Sequence, residues 1–316
     1  VFVGQSYQIS SGGGNSVSGT SGADPFSLSR DTDGSHIDWS LGTVTGQVLI
    51  ADPNGLTLNG LGGSDTLTLD YSHGNPLPGL LRLNGTFSVV GLSGNNPLAG
   101  VTLDVNQSTV YFANPSAQIP LSLIRQYINN AYNQGAWTGT ATPSAGAITS
   151  SAARSAAANT FGIGYADSVT GVVSSQPANT IELRYTLIGD SDLDGTVGAP
   201  DAIAMARNYL LPTPAVWTQG DFNYDGVVNM SDALLLQKNF GATMPPAMFA
   251  APAVIPVAAA TPVAPAIVTS STIANPTSST PTTDDEDGDS LRGPGKALTH
   301  RTNKKPPKRF SDRKAR

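Results

Sequence analysis

The sequence predicts a mainly β N-terminal body of solenoid or sandwich type with one or two short helices. A small all-α module built on a duplicated loop–helix unit follows, and then a disordered C-terminal tail. Three observations predict this. Gly (34) and Pro (23) are abundant among 316 residues and only 13% are charged, the composition of turn-dense β structure with Ser/Thr/Asn surfaces. Short apolar runs recur between Gly/Asn/Asp turns over residues 1–112. The segment 189–209 returns, recognisably, at 220–240.

In the first region the runs include Leu56–Leu58, Leu67–Leu69, Leu80–Leu83, Phe87–Val90, Val101–Val105 and Thr109–Phe112. Asn54-Gly55, Asn59-Gly60 and Asn84-Gly85 supply the left-handed positions that tight turns need. Short strands with Gly/Asn-rich turns favour a solenoid, with a sandwich as the alternative. The period then changes: Leu121, Ile124 and Ile128 fall at helical spacing after Pro120 and before Gly135, so a helix is expected within 117–134. Ala-rich Ser151–Ala158 is a second, short helix. In Thr180–Ile188, Ile181, Leu183, Tyr185 and Leu187 alternate with Glu182, Arg184 and Thr186, which predicts a strand with one wet face.

The duplicated segments read GDSDLDGTVGAPDAIAMARNY and GDFNYDGVVNMSDALLLQKNF. Each holds a twelve-residue loop with oxygen-bearing residues at alternate positions, a Gly at the sixth and a carboxylate at the twelfth. A hard cation takes six to eight oxygens, and a loop this short supplies them only by curling around the ion. The expected ligands of two Ca2+ ions are Asp190, Asp192, Asp194, the Thr196 carbonyl and Asp201 in the first loop. In the second they are Asp221, Asn223, Asp225, the Val227 carbonyl, Asn229 and Asp232. Val197 and Val228 are expected to face inward. After each closing Asp, Ala202, Met205 and Tyr209, and in the second copy Ala233, Leu236 and Phe240, make a helical apolar face.

Neither loop is preceded by a helical pattern, and position twelve is Asp. Over residues 189–241 the pair resembles a type I dockerin. The resemblance implies two calcium ions, a compact pair of loop–helix units and docking to a cohesin-like module through the residues just before each closing Asp. Here those are Ala199-Pro200 and Met230-Ser231, which differ between the copies. GYADS (164–168), QPANTIELRYTL (176–187) and TQGDFNYDG (218–226) resemble the C-terminal region of large, secreted, β-rich bacterial proteins that end in such a pair. NGLTLNGLGGSDTLTLDYSHGNPLP (54–78) resembles their repetitive body. An extracellular or cell-surface location follows from that resemblance.

Other chemistry has few residues to work with. Cysteine is absent, which excludes disulfides, thiolate nucleophiles and Cys-based zinc sites. His36 near Asp33 and Asp38, and His73 near Asp70, read as turn histidines. Glu182 is the one Glu before the tail, and no acid/base pair of glycosidase type stands out. The expectation is therefore a non-catalytic protein that uses the calcium module for stabilisation or docking. The alternative is a dockerin-bearing glycoside hydrolase or accessory protein of polysaccharide catabolism, acting on O-glycosyl bonds. Trp39, Trp137 and Trp217 are expected in packing rather than in a sugar platform. Gly60–Leu67 approaches the calcium nonapeptide of β-rolls, but a single copy cannot complete a site shared between turns, so a plain turn is expected.

Residues 1–188 form the expected body and 189–241 the module. Residues 242–283 are a Pro/Ala/Thr/Ser-rich linker, and 284–316 an acidic, then basic, tail. The net charge of −6 divides into −10 over residues 1–283, −5 over 284–289 and +9 over 290–316. The basic end suits an anionic polymer, such as an envelope polymer, without specific nucleic acid recognition. The uncharged stretch 247–268 carries four prolines and is expected to be extended rather than membrane-spanning. The chain opens at Val1 rather than Met, so a processed or truncated start is expected.

Overall fold

The structure is a computed structural model that describes residues 6–9, 15–212 and 214–245. Val1–Ala258 form one compact unit, and the second unit, Ala259–Arg316, lies outside the described residues. So do the acidic and basic tail, the stretch 247–268 and nearly all of the expected linker. Among the described residues no helix is long and apolar enough to cross a membrane.

The apolar runs become strands in the order β1 (Ser6–Ile9), β2 (Asn15–Ser18), β3 (Pro25–Arg30), β4 (His36–Leu41), β5 (Val44–Leu49), β6 (Leu56–Asn59) and β7 (Asp65–Asp70). Next come β8 (Leu80–Asn84), β9 (Thr86–Val90), β10 (Thr102–Asp104) and β11 (Thr109–Ala113). Two sheets result. One runs β1-β2-β6-β8-β10-β12, where β12 is Ala147–Thr149. The other runs β13-β14-β11-β9-β7-β3-β4-β5, with β13 Phe161–Asp167 and β14 Thr180–Leu187. The steps β2→β3, β6→β7, β8→β9 and β10→β11 each carry the chain from the first sheet to the second, so neighbours within a sheet pair in parallel. Parallel strands need a crossover, and here the strand in the opposite sheet is the crossover. Antiparallel additions close the series: β1 on β2 at the edge of the first sheet, and in the second the β3–β4–β5 meander at one edge and β14–β13 at the other.

Period-two alternation sets what each strand buries. Leu67 and Leu69 of β7 are buried while Thr66, Thr68 and Asp70 are exposed. Val17, Leu56, Leu58, Leu81, Leu83 and Leu103 of one sheet join Phe26, Leu28, Leu67, Phe87, Val89 and Val110 of the other in a single apolar cluster. Burying each such Leu or Phe contributes about 1.5–3 kcal/mol. At the corner between the sheets the stacked turns are held by a side-chain ladder. Asn106 donates to Asn84 Oδ1 (2.9 Å), Asn84 to Asn59 Oδ1 (2.7 Å), and Asn59 to Ser16 Oγ (2.8 Å).

Helix α1 (Leu121–Tyr132) packs on β12 and β13 through Ile124, Tyr127, Ile128 and Ala131, and ends where Asn133 turns left-handed at φ 42°. The short α2 (Ser151–Ser155) is capped by Ser150, whose Oγ accepts from the Ala153 N–H. One sequence expectation is corrected here. The face of β14 bearing Glu182, Arg184 and Thr186 is not wet: all three are buried. The reason lies opposite them, where Gly162 and Gly164 of β13 leave the room that Trp217, Tyr224 and Leu193 fill. Glu182 is paired instead with Arg184 Nη2 at 2.6 Å, and Arg184 Nη1 donates to the Leu193 carbonyl (2.6 Å).

Candidate metal centre

The two duplicated segments fold alike because their backbones turn at equivalent residues. Gly189, Leu193 and Gly195 have φ of 110°, 57° and 84°; Gly220, Tyr224 and Gly226, 31 positions later, have 102°, 61° and 88°. Each loop leads into a ten-residue helix, α3 (Ala199–Asn208) and α4 (Met230–Asn239), with the closing Asp in the first turn.

That Asp organises the loop. Asp201 Oδ2 accepts from the Gly198 N–H (2.7 Å), and Oδ1 from the N–H and Oγ–H of Ser191 (2.7 and 2.8 Å). Asp232 does the same with Asn229 N–H (2.9 Å), Phe222 N–H (2.9 Å) and Asn223 N–H (3.2 Å). The first-position carboxylates accept from the sixth-position glycines, Gly195 to Asp190 and Gly226 to Asp221, both at 3.0 Å. Further turns of this kind bend the outer rim. Thr196 N–H donates to Asp194 Oδ1 (2.7 Å), Val227 N–H to Asp225 Oδ1 (2.8 Å), and Asp225 N–H to Asn223 Oδ1 (3.0 Å).

The structure thus brings together Asp190, Asp192, Asp194 and Asp201, with Thr196 on the rim, and likewise Asp221, Asn223, Asp225 and Asp232, with Val227 on the rim. One carboxylate oxygen each from Asp190, Asp192 and Asp194 lies within 4.8 Å of the others. Asn229 stands apart in role, since its Oδ1 caps α4 by accepting from Ser231 N–H (2.7 Å). Val197 and Val228 are buried as expected. Tyr209 and Phe240 are not, because both helices stop one residue earlier and these capping residues, extended at ψ 120° and 127°, project into solvent.

Electrostatics fits a cation. Burial pushes Asp190 up to about 7, against the hydrogen bond from Thr186, and the neighbouring Asp201 and Asp192 add to the rise. Burial likewise lifts Asp221 to about 7, helped by Asp232. Asp192 and Asp232 are raised too, by burial first. Asp221 is fully buried and its Oδ1 has no hydrogen-bond partner. Clustered carboxylates that resist ionisation alone are what a bound divalent ion stabilises, because its charge outweighs their desolvation and repulsion.

Several residues that hold the loops carry no signal in their local pattern. Trp217 Nε1 donates to the Asp190 carbonyl (2.6 Å), Thr186 Oγ1 donates to the Asp190 carboxylate, and Arg125 of α1 places Nη1 at 3.9 Å from Asp221 Oδ2. Tyr224, the fourth residue of the second loop, reaches into the body. Its hydroxyl accepts from Ile163 N–H (3.0 Å) and donates to Ile163 C=O (3.1 Å). Its ring stacks on Trp217 (5.5 Å, 23°) and meets Tyr132 edge-on (4.9 Å).

Two loop–helix units of one backbone form, each closing a carboxylate cluster on a helix N-terminus, define a duplicated calcium loop–helix module. Residues 188–241 match the family model of the dockerin type I domain, and this C-terminal region is a type I dockerin, a family that binds calcium and docks to cohesin modules. No curated protein and no solved structure matches the chain.

Proposed function

We propose that this is a secreted or cell-surface protein without catalytic activity. Its dockerin holds two calcium ions and docks the β body to a cohesin module. The observation that carries the reading is the outer surface of the module. Ile203, Tyr209, Leu210, Leu211, Val227, Met230, Leu234 and Phe240 are all exposed there, a concentration of large apolar side chains that marks an interaction surface. Ala199-Pro200 and Met230-Ser231, the pairs before the closing aspartates, are exposed as well.

The ions would be held by Asp190, Asp192, Asp194, Thr196 and Asp201, and by Asp221, Asn223, Asp225, Val227 and Asp232, with a water below Asn229. Their role is to lock each loop so that α3 and α4 present this surface. We read the body as a short solenoid, because four successive crossovers stack in register. A body of that kind works as a spacer or display element. Burial of Glu182 in an ion pair with Arg184 supports a non-catalytic reading.

Titration of the full chain against a panel of purified type I cohesin modules tests the docking. Binding in calcium that disappears in chelator, and weakens at least about tenfold in Met230→Asp, is expected. Equal binding with and without calcium overturns the reading. Release of reducing sugar from any polysaccharide by the purified chain would overturn its non-catalytic part.

A further inference from the structure

The β-roll-like turn at Gly60–Asp65 has a counterpart that strand register reveals. Pro25 pairs with Thr66, so the preceding residues Asp24 and Asp65 stack directly, and the corners behind them read GTSGAD (19–24) and GLGGSD (60–65). The two copies stand 41 residues apart because the β4–β5 excursion intervenes, which hides the repeat from a search at short period. The corners stack backbone on backbone: Gly62 lies over the Ser21 carbonyl, and Gly63, at φ 77°, lies over Gly22 so closely that no Cβ fits.

Both aspartates point inward, with 2% and 0% of their surfaces exposed. Asp65 Oδ1 accepts from the Asp24 N–H (3.0 Å), and Asp24 Oδ2 accepts from Thr20 N–H (2.5 Å) and Oγ1 (3.0 Å). The remaining oxygen of each, Asp24 Oδ1 and Asp65 Oδ2, is buried and has no hydrogen-bond partner. Among the described residues neither carboxylate forms an ion pair. A buried carboxylate oxygen left without a partner is costly unless a counter-charge satisfies it, and here two of them lie on adjacent turns. The charge of Asp24 adds to the burial that pushes Asp65 up to about 7.

We propose that the stacked corners 19–24 and 60–65 form a further calcium site, in which Asp24 and Asp65 from adjacent turns bridge one ion. The Gly-rich backbone suits the ion, since carbonyls such as those of Ser21 and Gly22 lie where the two corners meet, and calcium accepts mixed carboxylate and carbonyl coordination. The ion ties the first turn of the coil to the second, at the end of the body far along the chain from the dockerin. The rival outcome is a pair of stacked carboxyl groups that holds no ion.

Equilibrium dialysis of the full chain against calcium separates the two. Asp24→Asn/Asp65→Asn is expected to bind one ion fewer than wild type, whatever number the dockerin holds. Asp201→Ala/Asp232→Ala is expected to retain the corner ion. An unchanged count in the Asn variant overturns the proposal. Should that variant fail to fold, as read by circular dichroism, crystals of the wild-type chain grown with terbium decide the matter. An anomalous peak between Asp24 and Asp65 is expected, and its absence, with peaks in the dockerin loops, overturns the site and leaves the dockerin reading standing.

Discussion

Asp201 and Asp232 combine two duties, since each gathers three hydrogen bonds at its loop and stands where the last cation ligand belongs. Asp201→Ala and Asp232→Ala are each expected to remove one ion and about 1 kcal/mol of helix capping, read by calcium titration and chemical denaturation. The first loop should fill first: it carries four aspartates to the second's three, and the guanidinium of Arg125 beside Asp221 opposes a cation there. Arg125→Gln should therefore narrow the gap between the two affinities; a wider gap would refute this ordering. Tyr224 shows the other kind of residue effect. Tyr224→Phe keeps the ring stack on Trp217 but strips both hydrogen bonds from a buried peptide, that of Ile163. A loss of about 1–3 kcal/mol is expected, seen as a lower denaturation midpoint with an unchanged slope.

At the scale of elements, the parallel strands are held in register by the Asn59–Asn84–Asn106 ladder as well as by apolar alternation. A one-residue slip would turn every buried Leu outward, and the ladder adds a polar penalty for it. Asn84 sits in the middle and bonds both ways, so Asn84→Ala is expected to cost about 1–2 kcal/mol in urea denaturation, more than the same change at exposed Asn54. The alternation of β14 was legible from Ile181, Leu183, Tyr185 and Leu187, but the burial of its other face was not. That burial depends on Gly162 and Gly164, whose missing side chains admit Trp217 from more than 50 residues away. The helices were legible to within a few residues. Their ends at Asn208 and Asn239 were set by backbone capping, which left Tyr209 and Phe240 outside.

For the whole molecule, the dockerin is built into the fold rather than tethered beside it. Asn239 Nδ2 donates to Ile188 C=O (2.7 Å), and Ala242 and Met244 pair with Val197 and Gly195 of the first loop. With Tyr224 and Trp217 these contacts couple loop closure to the β13–β14 edge. Removing calcium should therefore lower the melting temperature of the body as well. One cooperative transition that moves down in chelator is expected in calorimetry of the full chain, and a body transition indifferent to chelator would refute the coupling. Charge is also organised at this scale. Residues 1–283 carry −10 and 290–316 carry +9, so deletion of 290–316 should abolish binding to anionic vesicles at low salt, and raising salt should do the same to the intact chain. Binding that survives the deletion would place the attachment elsewhere.

The sequence by itself determined the dockerin. Each of its loops is a local device whose ligands lie within twelve residues, and the repeat at a constant offset made Asp190 to Asp201 and Asp221 to Asp232 readable without any neighbour. It also determined the inward residues of strands that bury one face, such as Leu67 and Leu69 of β7, because that follows from a period of two. Tertiary structure alone decided which strands are neighbours, since parallel pairing joins residues such as Asn15 and Leu56, or Asp24 and Asp65, across intervening excursions of unequal length. For the same reason only the fold could place Arg125 against the second loop, Tyr224 against Ile163, and two lone aspartates one above the other. Their interactions depend on distance in space, and the local pattern around each of them carries no record of it.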